Sequence, residues 1–333
     1  MKGNSLRIDV CEHGVELHFM NSYNYEQTYF HHLMATDNDR IEFVKSKIRK
    51  RLEKVGGMNL LYCIRDNNNI HGLFGIDYNP LHSRILDLNV IEIGPFYFLD
   101  YSRYHEVLHL MRSFFSSLQI SEGVLIKCKL DNSDFNSIRL FQECGFRYVT
   151  SSLKMVYNPS RKKHVFESYV QNKFNKVPDE YTFRNLHYSE DRDSLFTLIS
   201  QHKKSVHHYM YEHVACATQL DSLFKQWFEM YAQKQNTTVL GLFRKTDDAL
   251  LGFTSFCGPF SIGGIPVYSR DLTIIDQAYR GKNLVVLLYK QMNELTNACI
   301  EGNPLSDNYR NIQLNQNCGY VIAQSKCYLI KES

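Results

Sequence analysis

Residues 271–283, with the sequence DLTIIDQAYRGKN, combine a strand, a short loop and the start of a helix. The first five residues are mostly apolar, which favours a strand. Arg280, Gly281 and Lys282 form the loop, and an amphipathic helical pattern begins at Leu284. Glycine lets a backbone approach a ligand closely, and the first turn of a helix offers free N–H groups. The helix dipole and the two basic side chains favour an anion, so the stretch predicts a diphosphate-binding loop.

A second pattern occurs twice in the chain and indicates an internal duplication. In each copy a buried strand leads to an Asp or Asn that caps a short helix, then to a glycine–aromatic pair and a further strand. Aligning the pairs at residues 145–146 and 319–320 places Asp134 opposite Asn308. The aligned apolar helix positions are Ile138 with Ile312 and Leu140 with Leu314. The duplication predicts one fold used twice.

These residues resemble the GCN5-related N-acetyltransferase (GNAT) superfamily in its tandem, two-domain form. The loop at 279–283 is similar to the superfamily's pyrophosphate loop for coenzyme A, and the repeated segments are similar to its last helix and strand. The resemblance covers about residues 60–157 and 183–330. It implies an α/β fold of two tandem GNAT-like domains, each a mixed, mostly antiparallel sheet flanked by helices.

The resemblance also implies an acyl-coenzyme A site in the second half. The residues expected to bind the coenzyme lie on the strand, in the loop and at two helix starts: Leu272, Thr273, Ile274, Arg280, Gly281, Lys282, Asn283, Leu284, Asn308 and Asn311. The strand residues would act through their backbones, because in the superfamily the pantetheine arm pairs with this strand like an added strand. A free N–H there would also steady the oxyanion of the attacked thioester.

The chain departs from the superfamily pattern at three positions. Ala278 stands where Gln or Arg is usual, and Asn283 stands where Gly or Ala is usual. Asn tolerates a left-handed backbone, which preserves the turn. Asn315 stands where many members place a tyrosine that protonates the leaving thiolate, so that proton is expected to come from water or not to be needed.

Acyl transfer to an amine needs at most a weak base, and Asp271 is the preferred candidate because it lies at the active-site end of the central strand. A salt bridge between Asp271 and the neighbouring Arg270 is the alternative interpretation of this carboxylate. Asp276 and Glu92 are further candidates for the base.

The first half lacks a matching loop, since PFYFLDYSR follows Gly94 with no Arg-Gly sequence. We therefore predict an N-terminal GNAT-like domain at 1–160 that kept the fold, lost coenzyme binding and supplies one wall of the acceptor cleft. A linker is predicted at 161–179, and a C-terminal domain that binds acyl-coenzyme A at 180–333.

Within the superfamily the length and layout are most similar to the N-acyltransferases that act on a dTDP-linked 3-amino-3,6-dideoxyhexose. The function this implies is direct attack of the sugar amine on the thioester, in the biosynthesis of surface polysaccharide such as the O-antigen of lipopolysaccharide. Two alternatives stay open. One is a tandem acyltransferase acting on a peptide, small amine or thiol, and the other is a non-catalytic acyl-coenzyme A-binding protein.

Composition is that of a globular protein with room for two domains: 333 residues, 44% hydrophobic, 22% charged, net charge +3. The small, dispersed charge gives no reason to expect nucleic acid, and the basic residues of 45–54 fit a solvated helix face. No apolar run approaches the roughly 18 residues of a membrane helix, and no signal-peptide pattern is seen. Nine scattered cysteines without a Cys-x-x-Cys motif favour a reduced, cytoplasmic protein.

A histidine-rich segment contains His202, His207, His208 and His213 beside Glu212. Only His208 and Glu212 have the spacing of a helical ligand pair, and no fourth ligand is evident. A polar face is the simpler interpretation, and we expect no metal.

Periodicity predicts the remaining elements. Strands are expected at 8–20, 60–65, 70–76, 85–93, 181–185, 238–243, 250–256, 265–275 and 321–330, and helices at 40–54, 104–118, 166–174, 191–202, 212–233 and 284–295. Residues 158–163 are predicted to form an exposed loop.

Overall fold

The computed structural model describes residues 5–11, 60–67, 69–99, 101–118, 123–174, 178–201 and 206–332, with the isolated positions 38, 42, 45 and 46; the side chains at 206 and 207 are not described. Most of the helix predicted at 40–54 and most of the strand predicted at 8–20 lie outside these residues. Of that strand the structure describes β1, Arg7–Val10.

The chain divides into two compact units. Unit 1 comprises Met1–Ser151 and Ser325–Ser333, and unit 2 comprises Ser152–Gln324. Each unit therefore contains a strand segment from the other half of the chain: unit 2 contains residues 152–157, and unit 1 contains the end of the chain. The functional roles predicted for segments 1–160 and 180–333 stay predictions, as does a linker at 161–179.

Unit 1 is a mixed sheet with helices. Its elements are β1, β2 (Leu60–Arg65), β3 (Ile70–Tyr78), α1 (Pro80–Leu86), β4 (Asn89–Phe98), a 3-10 turn (Tyr101–Arg103), α2 (Tyr104–Leu118), β5 (Val124–Asp131), α3 (Phe135–Glu143) and parts of β6 (Arg147–Tyr157) and β12 (Val321–Glu332). The sheet order is β1-β2-β3-β4-β5-β12. β4 and β5 are parallel, and the other pairs are antiparallel.

The strand predicted at 85–93 starts late, and the prediction was wrong for its first residues. The Asn79 side chain accepts a hydrogen bond from the His82 N–H (2.9 Å), and Pro80 occupies the first turn, so a short helix forms here instead. Asp87 ends that helix in a left-handed conformation (φ 54°). The strand then runs past the predicted end to Phe98.

Unit 2 is a second mixed sheet. Its helices are α4 (Pro159–Lys173), α5 (Tyr188–Ser200), α6 (Val206–Tyr211), α7 (Ala217–Ala232), α8 (Leu284–Thr296) and α9 (Tyr309–Asn317). Its strands are the end of β6, β7 (Tyr181–Asn185), β8 (Thr237–Arg244), β9 (Ala249–Ile262), β10 (Ile265–Ile275), β11 (Cys299–Gly302) and the start of β12. The strand order is β6-β11-β10-β9-β8-β7. β10 and β11 are parallel, and the other pairs are antiparallel.

Each face of the unit 2 sheet carries its own hydrophobic cluster. α4 and α8 pack on one face with Leu240 and Leu242 of β8, whereas α5 and α7 pack on the other with Val239 and Phe243. These assignments follow the alternation of side chains along a strand, because successive residues point to opposite faces. The central strands are therefore covered on both sides.

Several helix predictions in unit 2 need correction. The loop predicted at 158–163 is the first turn of α4, because Asn158 caps the Ser160 N–H (3.0 Å) and Pro159 follows it. The single helix predicted at 212–233 begins later, at Ala217. Cys299 was predicted to lie in a strand, which β11 confirms, but four residues are too short to give that strand bounds from periodicity. The strands at 181–185 and 265–275 and the helix at 104–118 are confirmed.

The internal duplication is visible in matched helix ends. Asp134 accepts a hydrogen bond from the Ser137 N–H (3.0 Å), and Asn308 accepts one from the Asn311 N–H (3.3 Å). Both helices end before a left-handed glycine, Gly145 (φ 90°) after α3 and Gly319 (φ 82°) after α9. The same cap and the same stop occur in both halves, as the sequence alignment predicts.

Candidate active site

The parallel central strands of unit 2 separate part-way along their length. Their pairing ends at Arg270 with Gly302, which is the last residue of β11. β10 continues to Ile275 and keeps β9 as its partner on the other side. Among the described strands none pairs with 271–275 on the β11 side. One backbone edge of this segment is therefore available to an extended ligand.

The side chains of that segment are committed to packing. Leu272 and Ile274 are buried in the cluster beneath α5 and α7. The hydroxyl of Thr273 lies 2.8 Å from that of Thr254 on β9. The space beside 271–275, beyond the end of β11, is called the gap between β10 and β11. Of the predicted coenzyme residues, these three can reach a ligand in this gap chiefly through their backbone groups.

The start of the loop after β10 is fixed by hydrogen bonds. The Asp276 carboxylate accepts a bond from the Ala278 N–H (2.8 Å) and so starts a 3-10 turn that ends at Tyr279. The Gln201 side chain accepts a bond from the Gln277 N–H (3.0 Å). These two hydrogen bonds fix the position of the turn, and so the point from which residues 280–283 begin.

Two left-handed residues shape the loop. Gly281 has φ 82° and is exposed, and a Cβ built on it would meet no atom within 4 Å. Glycine is favoured here by backbone angle and not by crowding. Asn283 is the N-cap of α8 at φ 58°, and its side chain makes no capping hydrogen bond. Because no side chain caps the helix at this position, first-turn N–H groups of α8 are left to other acceptors.

Two cations flank this helix start. The exposed Arg280 donates from Nε to the Ile275 carbonyl (3.2 Å), which holds its stem near the end of β10. The exposed Lys282 places its Nζ 4.8 Å from the centre of the Tyr279 ring. Neither forms an ion pair with a carboxylate in the part of the chain that the structure describes. Arg280, Gly281, Lys282, Asn283 and the start of α8 thus form a cationic turn at a helix N-terminus, where an anion is stabilised.

Asp271 occupies an irregularity in β10. The register with β9 shifts between Arg270 and Leu272, so Asp271 is the extra residue of a bulge and remains exposed. Desolvation by the surrounding protein raises the pKa of its carboxyl, and the charge of Glu301 raises it further. No ion pair joins Asp271 to Arg270, whose side chain bonds elsewhere, so the salt-bridge interpretation was wrong.

Two buried hydroxyls belong to the surroundings of Asp271, and sequence reasoning missed both. The Tyr231 hydroxyl of α7 lies near the Asp271 carboxylate and the Ser255 hydroxyl of β9, but neither hydroxyl makes a hydrogen bond of good geometry to a described residue. Burial raises the pKa of Tyr231 strongly, and the Asp271 carboxylate adds to the rise. A buried hydroxyl without a partner is costly, so this cluster is suited to a polar ligand. A tyrosine inside an apolar helix pattern carried no distinguishing signal.

The other carboxylates considered as a base are engaged in structural contacts. Asp276 caps the 3-10 turn, as described above. Glu92 of unit 1 forms an ion pair with Lys127 (2.6 Å) and accepts a hydrogen bond from Asn79 (2.5 Å). These contacts leave Asp271 as the better candidate.

The predicted residues on α9 lie beside a buried polar side chain. Asn308 is exposed, and Asn311 is half-buried. Asn315 is fully buried and donates from Nδ2 to the carbonyl and the side-chain oxygen of Asn311 (2.7 Å each). Its own oxygen accepts a hydrogen bond from Arg270, a contact that sequence reasoning did not anticipate.

The histidine-rich segment is only partly described. His202 and the side chain of His207 lie outside the described residues, and the pKa of His208 is lowered by burial. Within the described residues no group of three or more His, Cys, Asp or Glu could hold a metal ion. Nor does that part of the chain contain a helix long and apolar enough to cross a membrane.

A cavity of about 560 Å³ lies elsewhere in unit 2, between α4 and the C-terminal half of α8. Its lining includes Phe166, Val170, Lys290 and Asn293. The cationic turn is at the opposite end of α8, so this cavity is distinct from the candidate site.

Comparison with known proteins identifies the fold. No protein-family model and no curated protein sequence matches the chain. Among solved structures, a tandem GNAT protein from the clavulanic acid biosynthesis pathway matches with a TM-score of 0.54 and 11% identity, covering 98% of each chain. A GCN5-related N-acetyltransferase from Sphaerobacter thermophilus matches with a TM-score of 0.56 and 9% identity, covering 86% of this chain and 85% of the other.

A third match extends over 99% of this chain, with a TM-score of 0.62 and 11% identity. It is the glucosamine N-acetyltransferase region of a fungal multi-domain β-N-acetylglucosaminidase, of which 38% is covered. The chain therefore has the fold of tandem GCN5-related N-acetyltransferases, which confirms the predicted fold class. The likeness concerns the fold; the narrower similarity to enzymes of dTDP-linked amino sugars stays a prediction.

Proposed function

We propose that this protein is an acyl-coenzyme A-dependent N-acyltransferase. The observation that carries the proposal is the continuity of three features in unit 2: the unpaired edge of β10, the cationic turn that follows it and the uncapped start of α8. A ligand with a diphosphate and an extended, amide-bearing arm fits this order of features.

In the proposed complex the diphosphate lies at the start of α8. Arg280 and Lys282 neutralise part of its charge, and the N–H groups at Asn283 and Leu284 donate to its oxygens. The pantetheine arm pairs with the backbone of 272–274. Asn308 and Asn311 at the start of α9 are further coenzyme contacts.

The proposed acceptor is a nucleotide-linked amino sugar, dTDP-3-amino-3,6-dideoxyhexose, used in surface-polysaccharide biosynthesis. The fungal structural match is a glucosamine N-acetyltransferase region, and its amino-sugar activity supports this class of acceptor. So do the unpartnered Tyr231 and Ser255 hydroxyls near Asp271, because a sugar offers donors and acceptors to such groups.

Catalysis would proceed by direct transfer. The neutral amine attacks the thioester carbonyl, and a backbone N–H of β10 stabilises the oxyanion that forms. Asp271 accepts the proton that the amine loses, directly or through water. Collapse of the intermediate breaks the carbon–sulfur bond and releases coenzyme A.

A thermal-shift panel tests the binding half of the proposal. The ligands are coenzyme A, acetyl-coenzyme A, dTDP, UDP and CMP, each alone and in pairs, because a ligand that binds only the folded state raises the melting temperature. Stabilisation by coenzyme A and by dTDP, and more by both, is expected. Stabilisation by coenzyme A alone would redirect the acceptor to a peptide or small amine. If coenzyme A leaves the melting temperature unchanged, the proposal is overturned.

A thiol-release assay tests the catalytic half. Acetyl-coenzyme A is mixed with a dTDP-linked 3-amino sugar, and free thiol is followed over time. Release that requires both substrates is expected. Tight binding without release from any amine tested would instead indicate a non-catalytic acyl-coenzyme A-binding protein.

A further inference from the structure

The guanidinium of Arg270 is buried at the point where β10 and β11 separate. The residue is 5% exposed, and it forms the last pair between the two strands with Gly302. A Cβ at Gly302 would lie 2.8 Å from the Arg270 Nη2. The glycine therefore makes room for the guanidinium at the head of the gap.

The contacts of this guanidinium are neutral. It donates to the Asn315 side-chain oxygen (2.5 Å) and to the Tyr320 hydroxyl (3.2 Å). It also lies 4.0 Å from the centre of the Tyr289 ring and 4.9 Å from that of Tyr320. These two hydrogen bonds use two of the five N–H donors of an arginine.

No described carboxylate lies within ion-pair distance of Arg270. The titratable groups that face it are Tyr289 from α8, and Cys318 and Tyr320 from the end of α9. Burial raises the pKa of all three, that of Cys318 to about 12, so they stay protonated and uncharged near neutral pH. An arginine keeps its charge under these conditions. A buried cation without a counter-ion is costly, because the protein interior does not replace the hydration that it loses.

At the matching point of unit 1 the described residues place no such charge. In unit 1 the last pair between the parallel strands is Ile93 with Cys128, and both are buried and apolar. The positions that match Asn315 and Tyr320 in the duplication are Phe141 and Phe146. The fold therefore does not require a cation at this point.

We propose that Arg270 stabilises the thiolate of coenzyme A as it leaves, an inference that rests on the proposed function. When the amine nitrogen bonds to the thioester carbon, the carbon–sulfur bond breaks and its electron pair stays on sulfur. The amine proton goes to Asp271 or water. The guanidinium donates a hydrogen bond to the sulfur and transfers no proton. This role would replace that of the tyrosine implied by the superfamily resemblance at Asn315.

Product binding tests this without an acceptor. Coenzyme A and desulfo-coenzyme A, which lacks the thiol sulfur, are titrated by calorimetry from about pH 6.5 to about pH 9.5, which brackets an ordinary thiol pKa of about 8.5. A lowered thiol pKa in the complex makes affinity for coenzyme A rise with pH relative to the desulfo analogue. The expected rise is about tenfold for each unit by which the thiol pKa falls. Because the analogue shares every other ionisable group, the ratio of the two affinities depends on the thiol alone.

Two variants assign the effect to Arg270. Arg270→Met removes the charge at similar length, and Asn315→Asp leaves the guanidinium in place but pairs it with a carboxylate. In both, the ratio of the two affinities is expected to change less than twofold over the same pH range. Binding of desulfo-coenzyme A reports in each case that the variant is folded and its site intact.

The outcomes separate this inference from the proposed function. If wild-type protein binds both ligands with a ratio that does not change with pH, Arg270 does not stabilise the thiolate, while the coenzyme site stands. If the ratio rises with pH equally in both variants, another group is responsible. If neither ligand binds the wild-type protein, the proposed function itself fails.

Discussion

The two halves of the chain use matched helix ends and differ in what surrounds the end of their parallel strands. In unit 1 the pairing of the parallel strands ends at Ile93 with Cys128, and after β4 a 3-10 turn leads directly into α2. The Tyr101 hydroxyl of that turn donates to Asp134 (3.1 Å) at the start of α3. In unit 2 the pairing of the parallel strands ends at Arg270 with Gly302, residues 280–283 extend the turn after β10, and the start of α9 is exposed.

This contrast indicates that the frame and the site are separable. Matching caps, left-handed glycines and strands occur in both halves, so they are explained by folding. Only the second half has Arg270, Asn315 and the cationic turn. Arg270 places a charge where unit 1 has the apolar Ile93, and the cationic turn places charge where the first half has no Arg-Gly loop. Features that differ between duplicated units at a structural cost are the better candidates for function.

The greatest loss should come from placing the unit 2 charge in unit 1. Ile93→Arg puts a cation among buried apolar side chains with neither the asparagine nor the tyrosine that receive Arg270, so unfolding free energy should fall by about 4 kcal/mol. Urea denaturation measures the change. Ile93→Val is the control and should cost about 1 kcal/mol. An Arg variant as stable as this control would mean that the site is wetter than its burial indicates.

The next effect concerns the cationic turn. Arg280→Ala combined with Gly281→Val removes a charge and strains a left-handed position, so coenzyme A should bind about 100-fold more weakly, two charge-assisted contacts being worth about 1.5 kcal/mol each. Calorimetry measures the affinity. Arg139→Ala, an exposed arginine of unit 1, changes the net charge similarly and should leave affinity within about twofold. Unchanged affinity in the double variant would remove these residues from the site.

Asp271→Asn should separate catalysis from binding. The transfer rate should fall at least about tenfold while coenzyme affinity is kept, because a general base contributes to the transition state alone. Since the pKa of Asp271 is raised above its ordinary value of 3.8, its charge destabilises the fold at neutral pH. The variant should therefore melt at a higher temperature. Glu92→Gln in unit 1 is the control for rate, and a similar loss of rate there would point away from Asp271.

The most modest change is expected at the two helix caps. Asn308→Ala and Asp134→Ala each remove a capping hydrogen bond and should each cost about 1 kcal/mol of unfolding free energy. Only Asn308→Ala should also weaken coenzyme A binding, by a few-fold. Parallel thermal melts and titrations decide this. Equal loss of binding in both variants would show that the caps act only through stability.

Local signals explain most of what the sequence predicts correctly. The strand at 265–275, the helix beginning at Leu284 and the caps Asp134 and Asn308 are specified by residues next to one another in the chain. Two of the errors, at Asn79 and Asn158, lie where a cap starts a helix that the sequence pattern did not predict. A cap acts through one hydrogen bond, which periodicity does not register.

The surroundings of the site were harder to predict for a physical reason. The sequence suggests an ion pair between Arg270 and Asp271 because the two are adjacent, but adjacent strand residues point to opposite faces. Arg270 accordingly joins residues 45 and 50 positions away, Asn315 and Tyr320. Tyr231 and Ser255 come near Asp271 in the same way, from different elements.

Contiguous residues are enough to specify the duplication, the order of strand, cationic loop and helix, and the lack of an Arg-Gly loop in the sequence of the first half. Three other properties appear only once the chain is folded: where β10 and β11 part, which face of β10 receives each charge, and the burial of Arg270 away from any described counter-ion. These properties depend on register and on contacts between distant segments. A side chain's pKa, burial and partners are set by what the fold brings to it, and the neighbouring residues in the chain do not encode that.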